Sequence, residues 1–321
     1  MKLLDIYAKM KGDIKEIEKE LSQAVSTDQI ILNESSSHLL KAGGKRIRPI
    51  FVLLSGHFGN YQFEKLKKVA AALELIHMAS LVHDDVIDDA DKRRGKPTVK
   101  AQWDNKVAMY TGDYIFAQAL MLITQFEDPE IHQTFSKALV QMSVGEIEQI
   151  RDFNNWNQSF KQYLRRIKRK TALLIAISCK LGALASNAEE KIVRRLYQYG
   201  YNVGMAFQIV DDILDFTGTT EQLGKPAGSD LRQGNITLPA LYALHYSKDR
   251  ERLQKIVHNG ELEKRMDEVI DLIRKSEGIK YAQKLAERYI EKSKKALLEL
   301  PNIRERKMLL EISDFIVDRT Y

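Results

Sequence analysis

The chain has 321 residues, of which 44% are hydrophobic and 29% are charged, and its formal net charge is +6. This composition is sufficient for a large buried core in one or two domains. Lys and Arg alternate with Asp and Glu along the sequence, so the positive charge is diffuse and disfavours nucleic-acid binding. No apolar run reaches the roughly 18 residues that span a bilayer, and the charged, amphipathic start argues against a signal peptide or a membrane anchor. The one cysteine, Cys179, has no partner for a disulfide, which predicts a cytoplasmic protein.

Apolar residues recur at intervals of three and four along most of the chain, as expected for helices. The predicted helices span residues 3–25, 47–58, 66–87, 107–126, 131–150, 163–184 and 192–216. Strand-like alternation is not evident. Asp128, Pro129 and Glu130 have the pattern of a helix start, and Asn187 with Glu190 resembles a capping box. We therefore predict one all-α domain over residues 1–321.

The predicted helix 66–87 runs into an acidic sequence that contains Asp84, Asp85 and Asp88. Positions separated by three or four residues share a face of a helix, so these carboxylates should point into roughly one volume. Like charges at that spacing repel each other unless a cation lies between them. Oxygen ligands without Cys or paired His suit a hard cation, and Mg²⁺ is the first candidate.

The same spacing recurs in Asp211, Asp212 and Asp215, again after an apolar helical run. A single acidic triplet is most often part of a solvated helix face. Two copies, each preceded by apolar helix, disfavour that interpretation. Two such triplets facing each other could hold several Mg²⁺ ions around one diphosphate.

Cationic residues stand near turns and helix ends, where they could bind phosphate. Two glycines precede Lys45, Arg46 and Arg48, and glycines allow a backbone to approach an anion closely. A helix C-terminus would look similar. The other candidates are Arg93 and Arg94 after the first triplet, the pair Lys170 and Thr171, and Lys225 in a Gly/Pro-containing loop that is a candidate lid.

Two further polar residues lie one or two turns before the acidic triplets. His77 precedes Asp84 by two turns, and Gln208 precedes Asp211 by about one turn. Either side chain could bind substrate. A hydrogen-bonded structural role is the alternative for both.

Several motifs together resemble those of the trans-polyprenyl diphosphate synthases. GGKRIRP, LELIHMASLVHDD, DDVID followed by two arginines, RKTA and FQIVDDILD occur in the family's order between about residues 39 and 246. Within the family, HMASLVHDDVIDDADKRRGKPT and FTGTTEQLGKPAGSDLRQGNITLPALYAL resemble the catalytic large subunits of bacterial two-component enzymes that make heptaprenyl diphosphate. No motif follows residue 246.

The resemblance implies an isoprenoid-synthase-type helical bundle around a central cavity. It also implies Mg²⁺-dependent addition of isopentenyl diphosphate to an allylic diphosphate such as farnesyl diphosphate, with a heptaprenyl product for the menaquinone side chain and a small regulatory subunit as partner. Hexaprenyl, octaprenyl or geranylgeranyl products and a homodimer stay open. By position, Mg²⁺ would be held by Asp84, Asp88 and Asp211, isopentenyl diphosphate by Lys45, Arg48, His77 and Arg94, and the allylic diphosphate by Arg93, Lys170, Thr171, Gln208 and Lys225.

Product length should depend on residues upstream of Asp84. One helical turn rises about 5.4 Å, roughly one extended isoprene unit. A growing chain that runs along this helix would meet Ser80 and Ala79 first, and Ile76 and Leu73 afterwards. The small residues would leave the passage open, although they could also merely permit close helix packing.

Two other functions compete with the synthase. His83 next to Asp84 would suit a metal phosphohydrolase, but that class needs further His ligands and would leave the second triplet unused. A non-catalytic partner subunit of the same fold would not need two intact triplets. If the chain forms an oligomer, residues 107–122 are the preferred interface.

Overall fold

The computed structural model of the chain describes residues 3–93, 95–219 and 226–318. Most of these residues lie in helices, so the all-α prediction is confirmed. The helices of the described residues are α1 (Leu3–Ala24), α2 (Ile30–Lys41), α3 (Ile47–Gly56), α4 (Phe63–Ile87), α5 (Val99–Gln102), α6 (Asn105–Ile123), α7 (Pro129–Arg151), α8 (Phe160–Ile167), a π-helical turn (Lys168–Ala172), α9 (Leu173–Ala185), α10 (Glu190–Thr217), α11 (Ser229–Arg232), α12 (Leu238–Tyr246), α13 (Arg250–His258), α14 (Met266–Lys275), α15 (Gly278–Leu298) and α16 (Arg304–Val317). Across these described ranges, no helix is long and apolar enough to cross a membrane.

A small β-hairpin follows α4, which the sequence pattern did not predict. Strand β1 (Lys92–Arg93) pairs antiparallel with β2 (Lys96–Pro97), with Lys92 opposite Pro97. Gly95 in the connection has a φ of 76°, a conformation that glycine adopts at low steric cost. Strands of two residues are too short to show an alternating pattern.

Two helix boundaries test the predicted caps. The carboxylate of Asp128 accepts a hydrogen bond of 2.8 Å from the N–H of Glu130, which confirms the predicted start of α7. Asn187, however, has a φ of 51° and donates its N–H to the carbonyl of Leu184. It therefore ends α9 rather than capping α10, because Asn tolerates the left-handed conformation that follows a helix.

The described residues group into two compact units, and the prediction of one domain over residues 1–321 stays a prediction. The first unit comprises Met1–Ser136, Ile177–Leu196 and Ile303–Met308. Its central helix, α4, packs against α1, α3 and α6, and its residues from Leu66 to Val82 are mostly buried. An apolar helix with few exposed positions is typical of the centre of a bundle.

The second unit comprises Lys137–Ala176, Tyr197–Asn302 and Leu309–Tyr321. Within it, α12 packs against α8, α13, α14 and α15. α12 is almost entirely buried between residues Leu238 and Leu244 and begins with a proline in its first turn. The same unit holds the π-helical turn and the part of α10 that carries the second acidic triplet.

Candidate active site

The first acidic triplet lies where α4 ends. The N–H of Asp88 closes the last turn by donating to the carbonyl of Asp84 over 2.8 Å. Asp88 is exposed and Asp84 is half-buried, so both carboxylates can be reached from solvent. They lie one turn apart on the same helix, which is the spacing that lets two carboxylates bind one cation.

Asp85 is placed differently from its two neighbours. Only 2% of its surface is exposed, and both Nε and Nη2 of Arg93 lie 2.8 Å from its Oδ1. Burial raises the pKa of Asp85, while the Arg93 guanidinium opposes that shift. Asp85 thus anchors Arg93 of strand β1, instead of sharing the accessible volume of Asp84 and Asp88 as the spacing predicted.

The second triplet, on α10, also divides, but into one accessible residue and two buried ones. Asp211 is half-buried, whereas Asp212 and Asp215 are each only 2% exposed. Asp215 accepts a hydrogen bond of 3.2 Å from the N–H of Asp230, in the first turn of α11. Its carboxylate therefore connects the first turn of α11 to α10.

Asp212 belongs to a chain of hydrogen bonds that runs from the buried Tyr163 to the half-buried Thr171. The hydroxyl of Tyr163 donates to its Oδ2 over 2.6 Å, and Nε2 of Gln208 donates to its Oδ1 over 2.9 Å. The hydroxyl of Thr171 in turn donates to Oε1 of Gln208 over 2.6 Å. Burial is the main cause that raises the pKa of Asp212 to about 7, and the charge of Asp230 adds to it.

The six carboxylates therefore form two groups. Asp84, Asp88 and Asp211 are half-buried or exposed, whereas Asp85, Asp212 and Asp215 are buried. In the part of the chain that the structure describes, no three His, Cys, Asp or Glu side chains form a ready-made metal cage. Mg²⁺ does not require one, because it commonly takes one or two carboxylates and completes its shell with water and substrate phosphate. The accessible oxygen donors fit such an ion.

Lys170 and Thr171 lie in the π-helical turn between α8 and α9. The N–H of Leu173 donates to the carbonyl of Lys168, which is the five-residue separation of a π-helix. Such turns are rare and are frequently found at functional sites. Nζ of Lys170 donates to Oε1 of Gln149 over 2.8 Å and lies 4.0 Å from Oε2 of Glu146. The turn thus brings a cation and a hydroxyl to neighbouring positions of the second unit.

Two glycines allow neighbouring helices to approach this turn. A Cβ atom on Gly204 of α10 would lie 2.5 Å from the Cα of Ala172, and one on Gly145 of α7 would lie 2.7 Å from the Cβ of Arg169. Two carbon atoms that are not bonded to each other do not approach this closely. The absence of a side chain at these two positions therefore determines how closely α7 and α10 pack on the turn.

The basic segment before α3 contains one buried and two more accessible cations. Lys45 is exposed and Arg48 is half-buried, whereas Arg46 is only 6% exposed and pairs with Glu74 on α4 over 3.0 Å. His77, one turn after Glu74, is half-buried and lines the same small cavity as Gly43 and Arg46. This cavity, of about 20 Å³, is large enough for about one water molecule.

The structure places the predicted chain-length residues on the buried side of α4. Leu73, Ile76 and Ala79 are fully buried, and Ser80 is half-buried and donates its hydroxyl to the carbonyl of His77 over 2.9 Å. Arg94 and Lys225 lie outside the described residues. The roles of all these side chains stay predictions.

Sequence reasoning missed Tyr163, Gln149 and Glu74. Tyr163 precedes Lys170 by two turns in a basic, amphipathic segment, where it looked like ordinary core. Gln149 lies near the end of α7 in the segment GEIEQI, which also resembles the family, but no role was predicted for this side chain. Glu74 stands alone among apolar residues of α4, and an isolated acid in such a run is the one signal that could have indicated a buried ion pair.

Comparison with known proteins identifies the family of the chain. The model of the polyprenyl synthetase family matches residues 29–273. The chain is 52% identical over 321 residues to heptaprenyl diphosphate synthase component 2 of Bacillus subtilis, covering 100% of this chain and 92% of the relative. Its structure resembles the crystal structure of heptaprenyl diphosphate synthase from Staphylococcus aureus, with a TM-score of 0.92, 43% identity and coverage of 97% and 98% of the two chains.

A second similar structure was solved with ligands bound. A polyprenyl synthase from Caulobacter crescentus, complexed with calcium and isoprenyl diphosphate, matches with a TM-score of 0.90 and 32% identity over 98% of this chain and 97% of that one. The family match covers well over half of the chain, and the relatives match nearly all of it. This chain belongs to the polyprenyl synthetase family.

Proposed function

We propose that the chain is the catalytic component of a two-component heptaprenyl diphosphate synthase. It would add isopentenyl diphosphate units to farnesyl diphosphate in the presence of Mg²⁺. The 52% identity to the Bacillus subtilis component 2 supports the product and the two-component organisation. Products of another length, such as hexaprenyl, octaprenyl or geranylgeranyl diphosphate, are the alternative within the family.

One observation carries the proposal. The three carboxylates that the family resemblance assigns to Mg²⁺, those of Asp84, Asp88 and Asp211, are the three that remain accessible. The other three are buried, each with only 2% of its surface exposed. A solvated acidic surface would not sort its carboxylates in this way.

The reaction starts with the departure of a diphosphate, and charge neutralisation is its main requirement. When bound, Mg²⁺ would supply Lewis-acid stabilisation of the leaving diphosphate. Arg93 and Lys170, each oriented by a hydrogen bond to Asp85 or Gln149, would add fixed positive charge at the same group. Lys225, if it contacts the allylic diphosphate as the resemblance implies, would act with them.

Thr171 and Gln208 would orient the allylic diphosphate rather than neutralise it. The hydrogen bond between them already fixes both side chains in the second unit. Isopentenyl diphosphate would be bound by Lys45, Arg48, His77 and Arg94. The double bond of isopentenyl diphosphate would then attack the allylic cation, which forms the new C–C bond and leaves a tertiary cation on the added unit. The carbon next to that cation would lose a proton to the departed diphosphate as the new double bond forms, so no separate protein base is needed.

The proposal also includes a partner subunit. Met109, Tyr110, Leu120 and Met121 of α6 are exposed, although large apolar side chains are usually buried. These residues lie within 107–122, the segment expected to form an oligomer contact. We infer that α6 contributes to association with a small subunit, or with a second copy of this chain.

The purified chain, alone and mixed with candidate small subunits, should be incubated with Mg²⁺, farnesyl diphosphate and labelled isopentenyl diphosphate. Labelled polyprenyl diphosphate is the expected product, and chromatography of the dephosphorylated lipid gives its length. Release of phosphate without lipid would indicate a phosphohydrolase. The absence of both in every pairing would indicate a non-catalytic subunit. An Asp211→Asn variant is the matched inactive control.

A further inference from the structure

Arg46 has a backbone conformation that is unusual for a residue with a side chain. Its φ is 45° and its ψ is 38°, in the left-handed region, directly before α3 begins at Ile47. Residues other than glycine are held there only when their surroundings impose it, and such residues cluster at functional sites. The contacts of the Arg46 side chain identify what imposes it.

The guanidinium of Arg46 joins the basic segment to three helices of the first unit. Nη1 lies 3.0 Å from Oε1 of Glu74 on α4, and both side chains are about 95% buried. Longer contacts of 3.5 Å reach Oε1 of Glu18 on α1 and the carbonyl of Leu40 on α2. Because the guanidinium of Arg46 bonds to these partners inside the protein, its charge is not available to a ligand at the surface, where Lys45 is exposed.

Glu74 connects this ion pair to the side of α4 that carries His77. The two residues are separated by three positions, so they lie on one face of the helix and line the same cavity. Oε2 of Glu74 is buried and has no hydrogen-bond partner among the described residues. The Arg46 guanidinium is therefore its main compensation, and the pair sets the distance between the basic segment and α4.

We propose that Arg46 and Glu74 are positioning residues for isopentenyl diphosphate. Their ion pair holds the segment from Gly43 to Arg48 in its left-handed turn, so that Lys45, Arg48 and His77 converge on one diphosphate. This inference rests on the proposed function, because it assumes that these three residues bind that substrate. A buried ion pair contributes little net stability, which favours a role in geometry over one in folding.

The direction in which one substitution changes the affinity for isopentenyl diphosphate distinguishes a positioning role from a purely electrostatic one. Replacing Glu74 by Gln removes a negative charge near an anion site, which by Coulomb's law alone should strengthen binding of a diphosphate. If Glu74 acts by holding Arg46, Glu74→Gln should instead weaken it. We expect the dissociation constant for isopentenyl diphosphate to rise about tenfold, since displacements of about 1 Å have effects of this order or larger.

Isothermal titration calorimetry on the full chain measures this constant without requiring turnover. The dissociation constant for farnesyl diphosphate is measured in parallel and should stay within about twofold, because its proposed ligands do not include the basic segment. Glu20→Gln is the matched control, since Glu20 forms a comparable helix-to-helix pair with Lys67, over 3.3 Å. It should leave both constants unchanged.

The inference is overturned if Glu74→Gln leaves isopentenyl diphosphate binding unchanged or tightens it, or if both substrates lose affinity equally. Lys45→Met tests the proposed ligand site independently. If Lys45→Met has no effect on isopentenyl diphosphate, the proposed function fails at this site, whereas an effect of Lys45→Met without one of Glu74→Gln refutes only the positioning role. Should Glu74→Gln not fold, Arg46→Lys, which keeps the charge but loses the fork geometry, is judged by the same criteria.

Discussion

The hydroxyl of Tyr163 on α8 donates a hydrogen bond of 2.6 Å to Oδ2 of Asp212 on α10, and neither residue is more than 2% exposed. This bond fixes the buried carboxylate beside the accessible Asp211. It also connects α8, which leads into the π-helical turn, to the helix that carries the second acidic triplet.

Tyr163→Phe should destabilise the protein by about 1–3 kcal/mol, because it leaves a buried carboxylate oxygen without its donor. Urea unfolding at pH 7.5 measures the change. Tyr242→Phe is the control, since Tyr242 stacks on Tyr281 at 4.8 Å and its ring is kept in the variant. Equal stability of the two variants would contradict the importance of the Tyr163 bond.

The free energy of unfolding should depend on the protonation of Asp212. Its pKa of about 7 in the folded protein lies above the ordinary value of 3.8, so the folded state holds this proton more tightly than the unfolded state. The contribution to stability is therefore complete below about pH 4 and is lost as the pH rises from there to about 7, by up to about 4 kcal/mol. Urea unfolding from pH 4 to pH 8 in EDTA should show this fall, and Asp212→Asn should flatten it. Parallel curves for the two proteins would refute the assignment.

The two groups of carboxylates should respond differently to substitution. Asp84→Asn and Asp211→Asn should lower kcat about 100-fold or more and raise the Mg²⁺ concentration needed for half-maximal rate. Asp85→Asn should mainly raise KM for farnesyl diphosphate, because it releases Arg93 but leaves the proposed metal ligands in place. Steady-state rates at several Mg²⁺ concentrations make the comparison. An equal shift of the Mg²⁺ requirement in all three variants would show that Asp85 also binds the ion.

Close packing at the π-helical turn can be tested through glycine. Gly204→Ala would place a Cβ atom 2.5 Å from the Cα of Ala172, and we expect it to destabilise the protein by about 1–3 kcal/mol and to weaken farnesyl diphosphate binding. Gly12→Ala is the control, because a Cβ there meets no atom within 4 Å. In an exposed helix this change should stabilise by about 1 kcal/mol. Thermal unfolding and calorimetry give both quantities.

Ala79→Phe should shorten the product, because an aromatic ring one turn before Asp84 would block a chain growing along α4. Reversed-phase chromatography of the dephosphorylated product measures the length. Ala79 is fully buried, so Ser80→Phe at the neighbouring, half-buried position is a second variant that places less strain on the core. An unchanged product distribution in both variants would refute the predicted role of these residues.

Helical periodicity was sufficient to predict the class of the fold and several long helices, including α4 and α10. It missed α2, because Ser35 and Ser36 in that helix look like surface residues. In the structure both serines are buried, and each hydroxyl has a hydrogen-bond partner that makes burial possible. The hydroxyl of Ser36 donates to the carbonyl of Leu32 over 2.6 Å, and the hydroxyl of Ser35 bonds to that of Thr111 over 2.7 Å. Such partners are distant or backbone groups that a residue pattern does not reveal.

The residue types of the candidate site could be predicted from the sequence, but not which carboxylates would be accessible and which would be buried. The spacing of Asp84, Asp85 and Asp88 predicts three neighbouring carboxylates, yet it does not indicate that Arg93 will remove Asp85 from the accessible face. The segment 163–184 reads as one continuous helix because the π-helical turn keeps the helical pattern and adds only one residue to a turn. Whether a turn closes with an α-type or a π-type hydrogen bond depends on how neighbouring helices pack against it. The local sequence does not specify that packing.

The π-helical turn also limits how this chain can be engineered. Deleting one residue, such as Arg169, would allow α8 and α9 to merge into an uninterrupted α-helix. The π-helical turn already absorbs its extra residue, so Leu173 would keep nearly its present orientation relative to Tyr163, but the widened turn that holds Lys170 and Thr171 would be lost. Chimaeras and loop-trimmed versions must therefore preserve the number of residues between Tyr163 and Leu173, even where they change the identity of those residues.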